Sequence, residues 1–174
     1  SDFVEIIREV LRADHDLVIK SAAPLAFSDR VFGSLDLHLV RKCPCPVWLL
    51  AGSNEVKGRR RVLAAVNMSR DDEVQHETNR LIVQLAASQA ERMHAHLSLI
   101  SAWQVPGETM LRGPRTGLTA GEVDHLVADT KRKQQKRMYK LAADAKLTES
   151  AYELHLLKGE PVAVLDTFIR ENEI

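Results

Sequence analysis

Cysteine and aromatic residues are scarce in this sequence of 174 residues, and neither sign of charge is in excess. The two cysteines, Cys43 and Cys45, are separated by one proline, and we expect their side chains to point to opposite faces. This predicts no disulfide framework and a reducing compartment. Lysine plus arginine equal aspartate plus glutamate at 24 each, which argues against a nucleic acid or a membrane surface as the main partner.

Long hydrophobic runs are also missing, since no apolar stretch approaches the roughly 20 residues that span a bilayer. The first residues, 1–5, are acidic and carry no secretory signal pattern. We therefore expect a cytoplasmic protein. Hydrophobic residues make up 45% and charged residues 28%, which is typical of a globular chain long enough for one well-buried domain.

Short apolar runs recur along the chain and are typical of buried parallel strands. They occupy residues 17–19, 47–50, 62–66, 97–100 and 152–157. Between them, apolar residues at helical spacing predict helices at the N-terminus, over 33–42, 71–92 and 119–146, and from Pro161 onward. Strands separated by helices of this length need right-handed crossovers, so the sequence predicts an α/β fold with a doubly wound parallel sheet.

Two of the predicted helices are long enough to show which face should be buried. In helix 71–92 the predicted inward face comprises Val74, Leu81, Ile82, Leu85 and Ala86. In helix 119–146 it comprises Val123, Leu126, Val127, Met138, Leu141 and Ala142. Residues 101–118 contain glycine and proline and are predicted to form a loop, and the polar segment 52–60 is predicted to be a linker.

The two ends of the chain repeat each other. When one constant number is added to the residue numbers of the first helix, its apolar positions coincide with apolar positions of the last helix. Arg12, which follows them, then coincides with Arg170. Chance is one explanation, because amphipathic helices share a pattern. The other is a tandem repeat cut at equivalent points in successive copies.

Two segments resemble the universal stress protein family. Residues 41–50, Arg-Lys-Cys-Pro-Cys-Pro-Val-Trp-Leu-Leu, resemble the family's last strand, and residues 61–69, Arg-Val-Leu-Ala-Ala-Val-Asn-Met-Ser, resemble its first. Residues 158–162 resemble its turn from third strand to third helix. The resemblance covers nearly the whole chain and is nearest to the bacterial tandem type. It implies the nucleotide-binding α-hydrolase-like fold, with elements in permuted order across two repeats.

On this resemblance the chain divides into three parts. Residues 1–51 are the C-terminal part of a first repeat, 52–60 a linker, and 61–174 the N-terminal part of a second repeat. Family members split into branches that bind ATP and branches that do not, and they often dimerise through the last strand.

The resemblance also implies where a nucleotide site would lie. The family loop has the form Gly-x2-Gly-x9-Gly-Ser/Thr, and Gly33 and Ser34 match its end. The two earlier glycines are replaced by Lys20 and Ala23, and the adenine-contacting aspartate of the first strand is Asn67. Glycines let a backbone approach phosphates closely, so these replacements predict a degenerate site that binds ATP weakly or not at all.

No set of residues in the sequence joins a nucleophile to a base, and no spacing suits a metal site. The sequence therefore predicts a non-enzymatic stress-response module with no cofactor, and its small-molecule ligand stays open. One alternative is an ATP-binding universal stress protein with weak hydrolase activity. Another is a thiol redox protein using Cys43 and Cys45, although a strand entry with one thiol packed inward explains that pair more simply.

Neither predicted part holds five strands. The strand at 62–66 should expose an edge where a fourth strand belongs, and a bare edge invites pairing. Strands from the same chain would give a permuted single domain, and strands from a neighbour would give a swapped dimer. We expect a homodimer, formed through the sheet edge or by swapped strands.

Overall fold

A computed structural model describes residues 3–22, 34–50, 60–70 and 72–172. The chain divides into two compact units, Ser1–Glu55 and Val56–Ile174. The boundary falls within the predicted linker, of which residues 52–59 lie outside the described residues. Across the part that the structure describes, no helix is both long and apolar enough to cross a membrane.

The first unit contains two helices and two strands. These are α1 (Phe3–Ala13), β1 (Val18–Ser21), α2 (Ser34–Lys42) and β2 (Val47–Leu50). The strands pair in parallel, with Ile19 opposite Trp48 and Ser21 opposite Leu50. The two helices contact each other, Val10 and Leu39 are buried, and the Phe3 ring stacks on His38 with centroids 4.6 Å apart.

The second unit is a three-stranded parallel sheet with its connecting helices. Its elements are β3 (Arg61–Ala65), α3 (Glu73–Met93), β4 (His96–Trp103), α4 (Glu108–Leu111), α5 (Ala120–Asp144), β5 (Glu153–Lys158) and α6 (Pro161–Glu171). The strand order is β3-β4-β5, so β4 is central. Its Leu97, Leu99 and Ile100 are almost completely buried, as expected for a strand that has neighbours on both sides.

Local sequence explains where the helices of the second unit begin. Asp72 accepts a hydrogen bond from the amide of Gln75 at the start of α3. Thr119 and Glu122 form a reciprocal capping box on α5, and Glu160 caps α6 just before Pro161. These side chains satisfy amides that lack a partner within the helix, so each start is specified by a few residues.

The predicted α/β fold with parallel strands is confirmed, and each predicted strand and long helix is present within a few residues of its expected bounds. The predicted loop 101–118 is wrong in part, because β4 continues to Trp103 and α4 lies within the segment. Gly107 precedes α4 with φ of 69°, a left-handed conformation that glycine adopts without strain.

The buried face of α3 differs from the predicted one. Val74, Leu81 and Leu85 are more than half exposed, and the helix instead buries Asn79, Val83 and Ala90. Of the predicted residues, Ala86 does pack against the core, and Ala87 lies there beside it. Small side chains let the helix approach the sheet closely, which apolar spacing alone does not indicate. In α5 the prediction is confirmed for Val123, Met138, Leu141 and Ala142, and it is wrong for Leu126, which is exposed.

The cysteine side chains also depart from expectation. The prediction that they point to opposite faces is wrong, because residues two apart on an extended segment share a face, and their Sγ atoms lie 3.6 Å apart. The Cys43 amide donates to the carbonyl of Leu39, so Cys43 closes the last turn of α2 instead of beginning a strand. The chain then bends at Pro44 and Cys45, and β2 starts only at Val47.

Two glycines of the second unit should respond oppositely to alanine. Gly159 has φ of 145°, and a Cβ there would lie 2.6 Å from Cγ1 of Val164, whereas a Cβ at Gly121 meets nothing within 4 Å. We expect Gly159→Ala to lower the free energy of unfolding by about 1–3 kcal/mol. Gly121→Ala, in the first turn of α5, should raise it by about 0.4–1 kcal/mol. Urea unfolding measures both, and equal effects would contradict the prediction.

Candidate functional site

The predicted site residues fall in both units. Lys20 lies in β1 and Ser34 is the first residue of α2, whereas Asn67 follows β3 in the second unit. Ala23 and Gly33 lie outside the described residues. Ligands of open α/β sheets bind beyond the carboxyl ends of the strands, and Lys20 and Asn67 lie at or just beyond the ends of their strands.

Lys20 forms an ion pair that the sequence analysis missed. Its Nζ lies 2.7 Å from Oδ1 of Asp36, whose side chain is only 1% exposed, and it also donates to the carbonyl oxygen of Ser21 at 2.7 Å. Asp36 is in the first turn of α2. Lys20 therefore joins the end of β1 to the start of the next helix. The sequence did contain a signal for this pair: Asp36 is an acidic residue in the first turn of the helix that follows Lys20.

This pair changes the electrostatics at the start of α2. The N-terminus of a helix attracts negative charge, and Asp36 supplies a carboxylate within that first turn. A bound phosphate here would meet that carboxylate, and it would compete with it for Lys20. The cation at this position, Lys20, is thus already paired within the protein.

Asn67 uses its own side chain to shape the loop after β3. Its Oδ1 accepts hydrogen bonds from the amide of Ser69 at 2.9 Å and from the Ser69 hydroxyl at 2.7 Å. This is an Asx-type turn, in which a short side chain replaces a backbone partner. The oxygen at the position of the family's adenine-contacting carboxylate is therefore engaged with the loop.

A buried amide fixes the same loop from α3. Asn79 is only 2% exposed, and its Nδ2 donates to the carbonyl oxygen of Asn67 at 2.7 Å. Its Oδ1 accepts from the Asn67 amide at 3.2 Å and from Nε2 of Gln75 at 3.2 Å. Arg137 of α5 adds a bond to the carbonyl oxygen of Met68 at 3.2 Å. Sequence reasoning missed Asn79, because an isolated polar residue on a helix is usually exposed.

A second polar cluster lies beyond the carboxyl ends of β4 and β5. Glu108 accepts from Lys158 at 2.8 Å and from Arg112 at 3.1 Å, and Arg112 also binds Asp124 at 2.8 Å. The hydrogen bond from Lys158 is the main reason that the pKa of Glu108 is lowered from its usual value. Opposite charges are matched within this cluster. Within the described ranges, no group of three or more His, Cys, Asp or Glu residues could hold a metal ion.

Curated relatives match part of the chain. Universal stress protein E of Salmonella typhi and that of Escherichia coli K12 are each 34% identical over 108 residues, covering 59% of this chain and 33% of the relative. The Haemophilus influenzae homologue is 35% identical over 100 residues, covering 56% of this chain and 32% of the relative. The chain thus spans about a third of the length of these relatives. No family model matches it.

Solved structures match the fold over nearly the whole chain. A protein of Pseudomonas aeruginosa UCBPP-PA14, assigned provisionally to the universal stress proteins, superposes with a TM-score of 0.65 at 22% identity. The match covers 97% of this chain and 53% of that one. A functionally unknown protein of Pseudomonas aeruginosa PAO1 gives a TM-score of 0.66 at 22% identity, covering 99% and 54%.

The fold defines the class first: an α/β protein with parallel strands, in which the carboxyl ends of the strands are where open sheets of this kind bind ligands. The curated relatives are universal stress proteins, and the solved structures share the fold, so the resemblance predicted from the sequence is confirmed. The chain is similar to the universal stress proteins over 56–59% of its length in sequence and over nearly all of it in fold.

The Lys20–Asp36 pair should be needed for stability. Removing one partner of a buried pair leaves an uncompensated charge, which costs about 3–5 kcal/mol when both partners are fully buried. Lys20 is 27% exposed, so we expect Lys20→Met to lower the free energy of unfolding by about 2 kcal/mol. The control Arg41→Met, at an exposed position of α2, should change it by less than about 0.5 kcal/mol. Equal effects of the two variants in urea unfolding would show that the ion pair contributes nothing.

Proposed function

We propose that the chain is a non-enzymatic stress-response module that binds or regulates, with a degenerate ATP site. The main support is the ion pair between Lys20 and Asp36, which replaces a glycine of the family loop by a bulky cation and adds a buried anion. A glycine leaves its backbone open to a phosphate, whereas Lys20 is bound to the protein itself. A nucleotide would have to disrupt that pair before its phosphates reached the helix.

The loop after β3 supports the same proposal. A carboxylate can accept hydrogen bonds from an adenine or ribose, but Asn67 directs its only oxygen to Ser69. Asn79 holds the backbone of Asn67 through two hydrogen bonds, so turning this loop outward would leave buried polar groups unpaired. Both departures from the family pattern are therefore built into the structure around them.

We further propose that the chain carries parts of two successive repeats. Helices α1 and α6 each have 11 residues, and their bounds differ by the same offset as the apolar positions within them. Each carries an arginine in its last turn, Arg12 and Arg170. Chance similarity of amphipathic helices explains the apolar spacing. It does not explain why both helices have the same length and carry an arginine in the last turn, so these features favour a repeat.

The ATP proposal predicts that wild-type protein gives no binding heat with Mg-ATP in isothermal calorimetry at micromolar protein concentrations. The triple variant Lys20→Gly, Ala23→Gly, Asp36→Asn should bind measurably, because it restores two loop glycines and removes the competing carboxylate. Asp36→Asn alone is the matched control and should not bind, since the loop still lacks its glycines. A micromolar dissociation constant for the wild type would sink the proposal and favour the ATP-binding branch.

We also propose a homodimer, formed through a sheet edge or by swapped strands. Among the described residues β3 pairs with β4 alone, so one of its edges is free of a strand there. In the first unit, Ile19, Trp48 and Leu50 lie on one face of the strand pair and are 41–57% exposed. Exposed apolar rows and unpaired edges are both features that association removes.

Light scattering across a dilution series should give a mass of two chains. Ile19→Glu places a charge in the exposed row and should shift the mass toward one chain at micromolar concentration. Val162→Glu, at an exposed apolar position in the first turn of α6, is the control and should leave the mass unchanged. A wild-type mass of one chain at every concentration would exclude the dimer.

A further inference from the structure

The Cys-Pro-Cys-Pro segment forms a tight connection between α2 and β2. At its start, the amide of Cys43 donates to the carbonyl oxygen of Leu39 at 2.9 Å. At its end, the carbonyl oxygen of Pro46 accepts from the amide of Val18 in β1 at 3.0 Å. The two prolines fix their own φ angles, which limits the conformations between these anchors. The bend therefore holds the two cysteines in a defined relation.

Within this bend the thiols face each other. Their Sγ atoms lie 3.6 Å apart, close enough for one thiol to donate a weak hydrogen bond to the other. A disulfide bond is about 2.05 Å long, so the sulfurs need to approach by about 1.5 Å, which side-chain rotation and a small backbone adjustment can supply. Both side chains are half-buried, so a small oxidant can reach them. The sequence contains no other cysteine.

We propose that Cys43 and Cys45 are a reversible thiol–disulfide site, whose oxidant is a hydroperoxide and whose reductant is a small thiol. This inference does not rest on the state of the ATP site. It also replaces the simpler explanation from the sequence, in which one thiol packs inward alone, because the structure brings both sulfurs together on one side of the bend.

The reaction balances in two steps. The thiolate of one cysteine attacks an oxygen of the hydroperoxide, the O–O bond breaks, and the products are a sulfenic acid and water or an alcohol. The second thiol then attacks the sulfenic sulfur, and the S–S bond forms with release of water. The pair loses two electrons and two protons, and the hydroperoxide gains them. Two molecules of a small thiol reverse the change by exchange through a mixed disulfide.

The surroundings alter the acidity of one of the two thiols. Burial, and then the hydrogen bond with Cys43, raises the pKa of the Cys45 thiol above its usual value. The proposal requires only that one thiol attacks the hydroperoxide and that the other resolves the sulfenic acid. The closed loop is very short, so the disulfide constrains few unfolded conformations, and its main effect is on the local geometry between α2 and β2.

The test uses the full chain, reduced and then treated with one equivalent of hydrogen peroxide. We expect the intact mass to fall by two hydrogen atoms, the free-thiol count to fall from two to zero, and dithiothreitol to reverse both. Non-reducing electrophoresis should show a single-chain band. Cys43→Ser and Cys45→Ser should each stop at a sulfenic acid that dimedone traps, because neither variant has a second thiol to form the disulfide.

Three outcomes would overturn the proposal. They are two thiols that stay reduced, a disulfide that forms only between chains, and oxidation to sulfinic acid without any species that has lost two hydrogen atoms. A buffer of reduced and oxidised glutathione supplies an independent measurement, since it should interconvert the same two species. Failure of that exchange would leave the bond irreversible and would also contradict the proposal.

Discussion

Each strand pair that the structure describes is parallel, and a parallel pair cannot be closed by a hairpin because both strands run in the same direction. The chain must return through a crossover, and α3 and α5 serve that purpose in the second unit. Because these helices bury a face against the sheet, the central strand β4 is covered and consists mainly of apolar residues. Parallel strands also end at one common edge, so the loops after β3, β4 and β5 emerge together, and the polar clusters around Asn67 and Glu108 lie there.

Most of the fold was predictable, because a buried parallel strand needs an unbroken apolar run and such runs are rare elsewhere in the sequence. The face of α3 was not. Its large apolar side chains, such as Leu81 and Leu85, dominate any periodicity argument, yet the side that meets the core is built from Val83, Ala90 and the buried amide of Asn79. Small residues allow a helix to pack closely against a sheet, and a search for regularly spaced large apolar residues does not detect them.

The candidate site was predictable in position but not in chemistry. The sequence showed that Lys20 and Asn67 depart from the family pattern. From the sequence alone, each departure meant only that a glycine or an aspartate of that pattern was missing. Their partners lie farther along the chain, with Asp36 16 residues after Lys20 and Asn79 12 residues after Asn67. Pairings of this kind depend on how elements pack, so they become visible only in three dimensions. The same holds for the cysteines, whose proximity depends on where α2 ends.

We propose that these partners make the degenerate site unfavourable for a phosphate-bearing ligand. An empty phosphate loop has unpaired amides that gain hydrogen bonds when an anion binds. Here Lys20 and Asp36 already satisfy part of each other's charge, and a nucleotide that separated them would take Lys20 away from a carboxylate that is almost fully buried. If that separation costs about 3 kcal/mol, affinity falls by roughly a hundredfold before any contact to the base is counted. An uncharged or cationic ligand incurs no such repulsion from Asp36, so the electrostatics of this unit favour ligands other than polyphosphates.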